Sequence, residues 1–334
     1  MNLPADSTKS LKWRRRVLIL ALILGCVVFF LYLSQPDWLV PVTMVPPWLW
    51  IVPASVVLWL GWWKELRIEW RLLAACTLLF VVSYVEEFRS MTRLRSQPAR
   101  DWRNDEDTSL NTIRVVSINC NGGNGRCLDE ALAYEPDIIL LQESPSSEKV
   151  AEFAKLAFGE EGNSLWNGDT SIVARGSIRA VHSQRGAPFV CGLVSLSRER
   201  NIAVVSLRLS APAQRLDFWS RHFWVAYKDM RQNHRKQLKD MLAKLDQDKF
   251  ATRWVIGGDF NSLAGDGAMS PLRERLRDSF RDAGTGWGGT GTNDMPLFRV
   301  DQIWTSQNIL PMVVTSRRSQ FSDHRLVVAD FFVE

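Results

Sequence analysis

No CxxC pair and no Cys/His spacing of the zinc-binding kind occurs in the 334 residues, which excludes a structural zinc site of that type. Internal repeats and low-complexity tracts are absent, so solenoid and propeller architectures drop out. The glycine-rich turn SINCNGGNG (117–125) has neither the G-x-G-x-x-G spacing nor a following P-loop lysine, so it is not one of the nucleotide cradles those patterns build. Charge is missing from three stretches, residues 17–33, 48–63 and 72–85. About 20 apolar residues cross a bilayer. The three runs are therefore read as membrane spans, the third needing its flanks, with two spans as the alternative. No small-x-small site follows the first run, so it is expected to stay as an anchor rather than be cleaved as a signal peptide.

Lys9, Lys12, Arg14, Arg15 and Arg16 precede the first run, and Lys64, Arg67 and Arg71 separate the second from the third. The positive-inside rule keeps both regions in the cytoplasm, so three spans deliver everything after residue 86 to the outside. Arg89, Arg93, Arg95, Arg100 and Arg103 just beyond the third run argue the other way. The expected topology is multi-pass, with an extracytoplasmic soluble part. Residues 108–334 carry 28 Lys+Arg and 26 Asp+Glu, so that part is nearly neutral and its basicity is local, concentrated in 197–239. Cys26 and Cys76 fall in the apolar runs. Cys120 and Cys127 could pair in an oxidising compartment or be ordinary half-buried thiols.

Residues 90–109 are polar and without apolar period, and are read as a tether between an anchor (1–89) and a catalytic domain (110–334). From residue 110 short β-branched runs follow one another: IRVVSIN, DIILLQ, SIVAR, FVCGLVSL, IAVVSLRL, WVIGGDF, RVDQIW and RLVVADFFV, with helical patterns at 126–134, 147–157 and 221–245. Polar residues recur at the ends of these runs: Asn119, Glu143, Asp259, Asn261, Asp301, Asp323 and His324. Strand alternation would point Asp259 and Asn261 to one side. Each has an ordinary explanation, since Gly, Asp and Asn are common where strands stop. Gathered on one rim, they would form an oxygen-rich cup suited to Mg²⁺ or Mn²⁺.

In order along the chain, SIN (117–119), LQE (141–143), GGDFNS (257–262), RVDQI (299–303) and SDH (322–324) resemble the endonuclease/exonuclease/phosphatase superfamily. That group includes pancreatic-type deoxyribonucleases, abasic-site endonucleases, neutral sphingomyelinases and inositol polyphosphate 5-phosphatases. The resemblance covers roughly residues 112–334. The apolar N-terminus, with GWGGT (286–290) ahead of RVD, resembles a membrane-tethered bacterial branch. The implied fold is α/β, a two-sheet β-sandwich flanked by helices in four layers (α/β/β/α), here preceded by an N-terminal transmembrane helical region.

The implied activity is hydrolysis of a phosphate ester with Mg²⁺ or Mn²⁺. By resemblance Glu143 is the principal metal ligand, with Asn119 beside it and Asp323 contributing. Asp259 would activate the attacking water and Asn261 hold the nucleophile or a phosphate oxygen. His324 would donate to phosphoryl oxygens while Asp301 fixes its tautomer. Many relatives carry Thr-His-Leu where this chain has SLRL, which places Arg208 at the histidine position. Arginine clamps phosphate but cannot serve as an acid.

The expected partners are a phosphate-ester substrate, nucleic acid or phospholipid, and the bilayer itself through the N-terminal helices. Residues 215–239 interleave Phe218, Trp219, Phe223, Trp224 and Tyr227 with cations. The segment reads as a helix with a core face, as a nucleic-acid surface, or as a membrane-facing surface. The alternative to an enzyme is a catalytically inactive membrane-tethered module that binds anionic phosphate ligands.

Overall fold

The structure is a computed structural model that describes residues 5–60, 66–93, 111–196, 200–213, 215–247 and 252–334. It divides into two compact units, Met1–Arg89 and Ser90–Glu334.

The first unit is helical. Ala5–Ser34 is its long helix; Leu18 packs there with Leu66 and Leu73, while Leu20, Ile23, Leu24, Phe30 and Leu33 stay exposed on it. Within it, Ser10–Ser34 contains an 18-residue stretch of mean hydropathy 2.9 and is long and apolar enough to cross a membrane. The other two expected spans each fall mainly in one helix of a bent pair, with residues 61–63 lying outside the described residues. Asp37–Thr43 with Pro47–Trp59, and Arg67–Tyr84 with Glu86–Arg93, pass the same test only when each bent pair is taken as one span. Pro46 and Pro47 account for the first break, since proline cannot donate the next helical hydrogen bond; an extended Val85 marks the second. Among the described residues there is thus one candidate span, or up to three.

The second unit contains two six-stranded sheets. The first runs in the order β11 (Ile309–Arg317), β12 (Leu326–Val333), β1 (Thr112–Asn119), β2 (Ile138–Gln142), β4 (Thr170–Arg175), β3 (Gly162–Trp166). The second runs β5 (Ser177–His182), β6 (Phe189–Leu196), β7 (Arg200–Arg208), β8 (Trp254–Asp259), β10 (Asp301–Thr305), β9 (Arg277–Asp278). Each sheet contains one parallel pair, β1 with β2 and β7 with β8, among antiparallel neighbours. All eight apolar runs read from the sequence are strands.

A core of aliphatic side chains, among them Val115, Leu140, Ile172, Val204, Val255 and Ile303, lies where the sheets face each other. Helices Arg126–Leu132 and Ser147–Phe158 bury Leu128, Val150 and Phe153 against the outer face of the first sheet. Helix Arg221–Gln247 buries Leu238, Met241 and Leu245 against the second. The order helix, sheet, sheet, helix follows from strands whose two faces are both apolar.

Of the segment read as a tether, residues 90–93 close the helix Glu86–Arg93, where Ser90 Oγ donates to Gly286 O at 2.7 Å. Residues 94–109 lie outside the described residues. Cys120 and Cys127 are buried thiols rather than a disulfide, and Cys191 is buried too.

The paired glycines of β8 are demanded by this packing. A Cβ on Gly257 would stand 2.6 Å from Leu140 of the opposite sheet, and Gly258 has φ +144° with the place for its Cβ 1.9 Å from Leu207 O. Gly258→Ala should therefore cost about 3 kcal/mol or more, from strain and overlap together. That would lower the thermal midpoint by roughly 6–12 °C. Gly265→Ala, with open space at its Cβ position, should leave the midpoint nearly unchanged.

Candidate active site

Six of the candidate residues lie at strand ends on one edge of the sandwich. Asn119 ends β1, Glu143 follows β2, Arg208 ends β7 and Asp259 ends β8, while Asp301 opens β10 and His324 comes just before β12. The antiparallel strands start where the parallel ones finish, so carboxyl and amino ends share one rim. Register is exact enough to set neighbours: Asp259 pairs laterally with Arg208 on one side and with Asp301 on the other.

Asp259 and Asn261 do meet, although strand alternation is not the cause. The strand stops at Asp259, and Asn261 has φ +47°. A turn brings them together, with Asn261 N donating to Asp259 Oδ1 at 2.9 Å. Asn261 Nδ2 donates to Leu209 O at 2.9 Å, fixing its amide across the end of β7. Glu143 also holds a left-handed φ, +47°, an unusual conformation for a non-glycine residue that turns its side chain off the strand direction.

Two charge pairs flank Asp259. On one side His324 Nδ1 lies 2.9 Å from Asp301 Oδ2; on the other Arg208 Nη2 donates to Glu143 Oε1 at 2.7 Å. Arg208 also reaches Asp169 at 3.4 Å, and its Nε is 4.0 Å from Asp259 Oδ2. Asn119 Nδ2 bridges Glu143 and Asp259, at 3.3 Å from each, and Gly122 N donates to Glu143 Oε2 at 2.7 Å. Arg208 thus faces the site and pairs with Glu143 rather than with a surface acid alone. Asp323 is exposed; its carboxylate stays out of these hydrogen bonds, but its charge helps to hold the proton on His324.

Burial pushes the Asp259 carboxyl up to about 7, with the neighbouring Asp301 adding to the rise and His324 and Arg208 opposing it. For His324 burial acts downward, but the charge of Asp301 and its hydrogen bond win, raising the imidazole to about 10.

Asp259, Asp301 and His324 each offer one ligand atom within 4.8 Å of the others, a group that could hold a metal ion. The donor set around it is rich in hard oxygen, and Asp301 Oδ1 is buried with no hydrogen-bond donor among the described residues. A cation would answer that unpaired oxygen. Arg208 Nε is the converse, a buried donor with no acceptor, suited to an anionic oxygen.

Several contributors left little trace in the sequence. Thr290, buried within the GWGGT motif, accepts from Asp301 N at 2.9 Å through its hydroxyl and so holds the start of β10. Asp169 sits in an ordinary turn. His234 is on the helix Arg221–Gln247 and fully buried. Its Nε2 donates to Ser210 O and its Nδ1 accepts from Ser262 Oγ, both at 2.8 Å, because a carbonyl can only accept. Burial keeps its pKa low, consistent with a neutral ring. His182 stacks on Phe189 with centroids 4.6 Å apart, and His222 is exposed.

The profile of the Endonuclease/Exonuclease/phosphatase family matches residues 116–324. The chain belongs to this family. No curated protein matches it. Among solved structures, a functionally unknown conserved protein from Enterococcus faecalis V583 is similar at TM-score 0.51 and 12% identity, over 66% of this chain and 100% of that one. An endonuclease/exonuclease/phosphatase from Beutenbergia cavernae DSM 12333 is similar at 0.51 and 15%, over 67% and 72%. A family protein from Bacteroides thetaiotaomicron is similar at 0.51 and 12%, over 67% and 98%. At such identities the likeness is one of fold. The family's catalytic domain, with a cluster able to hold a metal ion, makes the chain a metal-dependent phosphoester hydrolase.

Both perturbed groups hold protons in the folded chain that the unfolded chain releases, since their ordinary values are 3.8 and 6.5. Without a cation, stability should fall as pH rises from about 4 to 7 through Asp259, and from about 6.5 to 10 through His324. Thermal midpoints across pH in chelator should show both declines. Asp259→Asn should flatten the lower one, and a midpoint of the parent that rises over that window would contradict the assignment.

Proposed function

We propose that the protein is a membrane-anchored phosphodiesterase using Mg²⁺ or Mn²⁺, acting on a nuclease-type or phospholipid-headgroup diester. The observation that carries this reading is Asp259, a buried carboxylate near neutrality between an imidazolium pair and a guanidinium pair on one rim.

Glu143 and Asn119 would hold the cation, with Asp323 beside it. A cation held by Glu143 and Asn119 would leave His324, whose Nδ1 faces Asp301, to address the phosphoryl group. A bound divalent ion would supply positive charge against which a phosphodiester can be approached by an oxygen nucleophile. Asp259 takes the proton of the attacking water, its value of about 7 suiting a base at neutral pH. Asn261, held by Leu209 O, orients that water or a phosphoryl oxygen. His324 keeps Nδ1 on Asp301 and directs Nε2 at the phosphoryl group. Arg208 presents Nε to a second phosphoryl oxygen.

The reading includes the division into anchor (1–89), tether (90–109) and catalytic domain (110–334). It also places the anchor in a bacterial inner membrane, with the catalytic domain outside the cytoplasm. The candidate span supports the first of these, and the basic residues before it and between residues 64 and 71 support the second. Reporter fusions after residue 107 should report export and a fusion within 64–71 should not; the opposite pattern would overturn the topology.

Turnover of a diester should vanish in chelator and return with Mg²⁺ or Mn²⁺, which also separates an enzyme from an inert binding module. Glu143→Ala should weaken metal binding. Asp259→Asn should cut turnover by about 10² or more with metal binding largely kept. Arg208→Ala should lower turnover by about 10² to 10³, roughly 2–4 kcal/mol, while tightening metal binding because Glu143 loses its competing cation. Arg208→Lys should recover part of the rate. Parental rates in both Arg208 variants would remove that residue from the mechanism.

A further inference from the structure

The helix Arg221–Gln247 is 27 residues long, about 40 Å, and the sheet beneath it is shorter. Its C-terminal half lies on the sheet, with Leu245 and Asp246 lining a depression that they share with Trp254 at the start of β8. His234 marks the other end of the strands, bonded to Ser210 just beyond β7 and Ser262 just beyond β8. From His234 back to Arg221 the helix therefore continues past the catalytic rim, by about 20 Å at 1.5 Å per residue.

The loop after β7 is strapped along this overhang in step with it. Ser210 N donates to Gln237 Oε1, Ala213 N to the Met230 sulfur, Tyr227 OH to Arg215 O, and Trp224 Nε1 to Phe218 O, at 3.3, 3.4, 3.1 and 2.9 Å. Phe223 and Tyr227 are buried between helix and loop, their rings 4.8 Å apart. Together they make an arm rooted by the fully buried Arg231–Asp266 pair at 2.7 Å.

The tip of the arm is apolar and open. Leu216, Phe218 and Trp219 are 87%, 65% and 77% exposed. Exposed Arg221 and Lys228 lie on its flank, with exposed Asp229 beside the lysine. Arg215 and Asp217 cancel each other in a 2.6 Å pair.

We propose that this arm is a lipid-surface anchor: Leu216, Phe218 and Trp219 enter the boundary between headgroups and acyl chains of an anionic bilayer, and the flanking cations meet the headgroups. Large apolar side chains with adjacent Arg and Lys are the pairing such an interface selects. A stacking surface for unpaired bases fits less well. The rings of Phe218 and Trp219 meet at 74°, so they offer no parallel faces for successive bases, and Leu216 has none. Because the arm starts at the catalytic rim and reaches about 20 Å beyond it, a surface touched by its tip lies on the side of the sandwich where Asp259 and Arg208 end their strands. Resting on the hydrolase reading above, the substrate is then a phosphodiester displayed at a lipid surface.

The test uses the full chain in proteoliposomes, with Cys26→Ala and Cys76→Ala so that the buried cysteines remain unlabelled. A solvatochromic fluorophore is placed on Leu216→Cys, or on Glu160→Cys at the opposite edge of the sandwich. In phosphatidylcholine vesicles containing phosphatidylglycerol, the label at 216 should shift to the blue and be quenched about 3-fold or more by spin-labelled lipid. The label at 160 should not change, and high salt should weaken the response. A label at 216 as water-exposed as that at 160 would overturn the proposal. So would a label that responds to single-stranded DNA and not to lipid. Turnover of a water-soluble diester by the unmodified chain judges the hydrolase reading separately.

Discussion

Two carboxylates side by side in a nearly dry site repel each other, and Asp259 and Asp301 are lateral neighbours with 2% exposure apiece. Everything around them answers that repulsion. His324 stands on Asp301, Arg208 approaches Asp259 while bound to Glu143, and the amides of Asn119 and Asn261 fill remaining acceptor positions. The compensation is incomplete: Asp259 retains an affinity for a proton near neutrality, and Asp301 Oδ1 has no donor among the described residues. A site with spare negative charge binds cations; a site with one carboxylate poised near neutrality moves protons. Both properties come from the same crowding.

The sandwich makes that crowding affordable. Strand ends are where backbone groups leave the ladder and side chains can converge without interrupting hydrogen bonding between neighbours. Two sheets facing across an aliphatic core hold those ends rigidly, and Gly257 lets β8 approach the opposite sheet closely enough for Asn119 to reach Asp259. Gly258 then turns the last residue of the strand, and Asp259 accepts from the backbone two residues on. The motif GGDFN is thus one mechanical unit, in which the glycines set the position of the acid.

The strands that form both core faces announced themselves through β-branched runs, and so did the residues at their tips. Edges were harder to see. β5 is largely exposed and lacks an apolar alternation, and β11 carries Pro311 at a register shift, tolerable only because that strand lies at the sheet margin. The inference from strand alternation reached the true proximity of Asp259 and Asn261 by the wrong route, since a turn makes it. Arg208 stood out by type and position, yet its partner Glu143 lies 65 residues away, beyond any local pattern. His234 resembled many helix histidines; only the loops crossing above and below it reveal what it joins. In the N-terminal unit, hydropathy located apolar segments but did not register the helix Asp37–Thr43 that Pro46 and Pro47 set off at an angle from the second of them.

The helix Arg221–Gln247 is supported unequally along its length, and the division has a thermal meaning. From Arg231 onward it is bolted by a buried ion pair, by His234 and by the sheet, so its amides open only when the sandwich does. Ahead of Arg231 only a strapped loop and two buried rings hold it, and that part can fray while catalysis proceeds undisturbed at its root. A single helix therefore spans two levels of stability, with its most yielding turns farthest from the reacting groups.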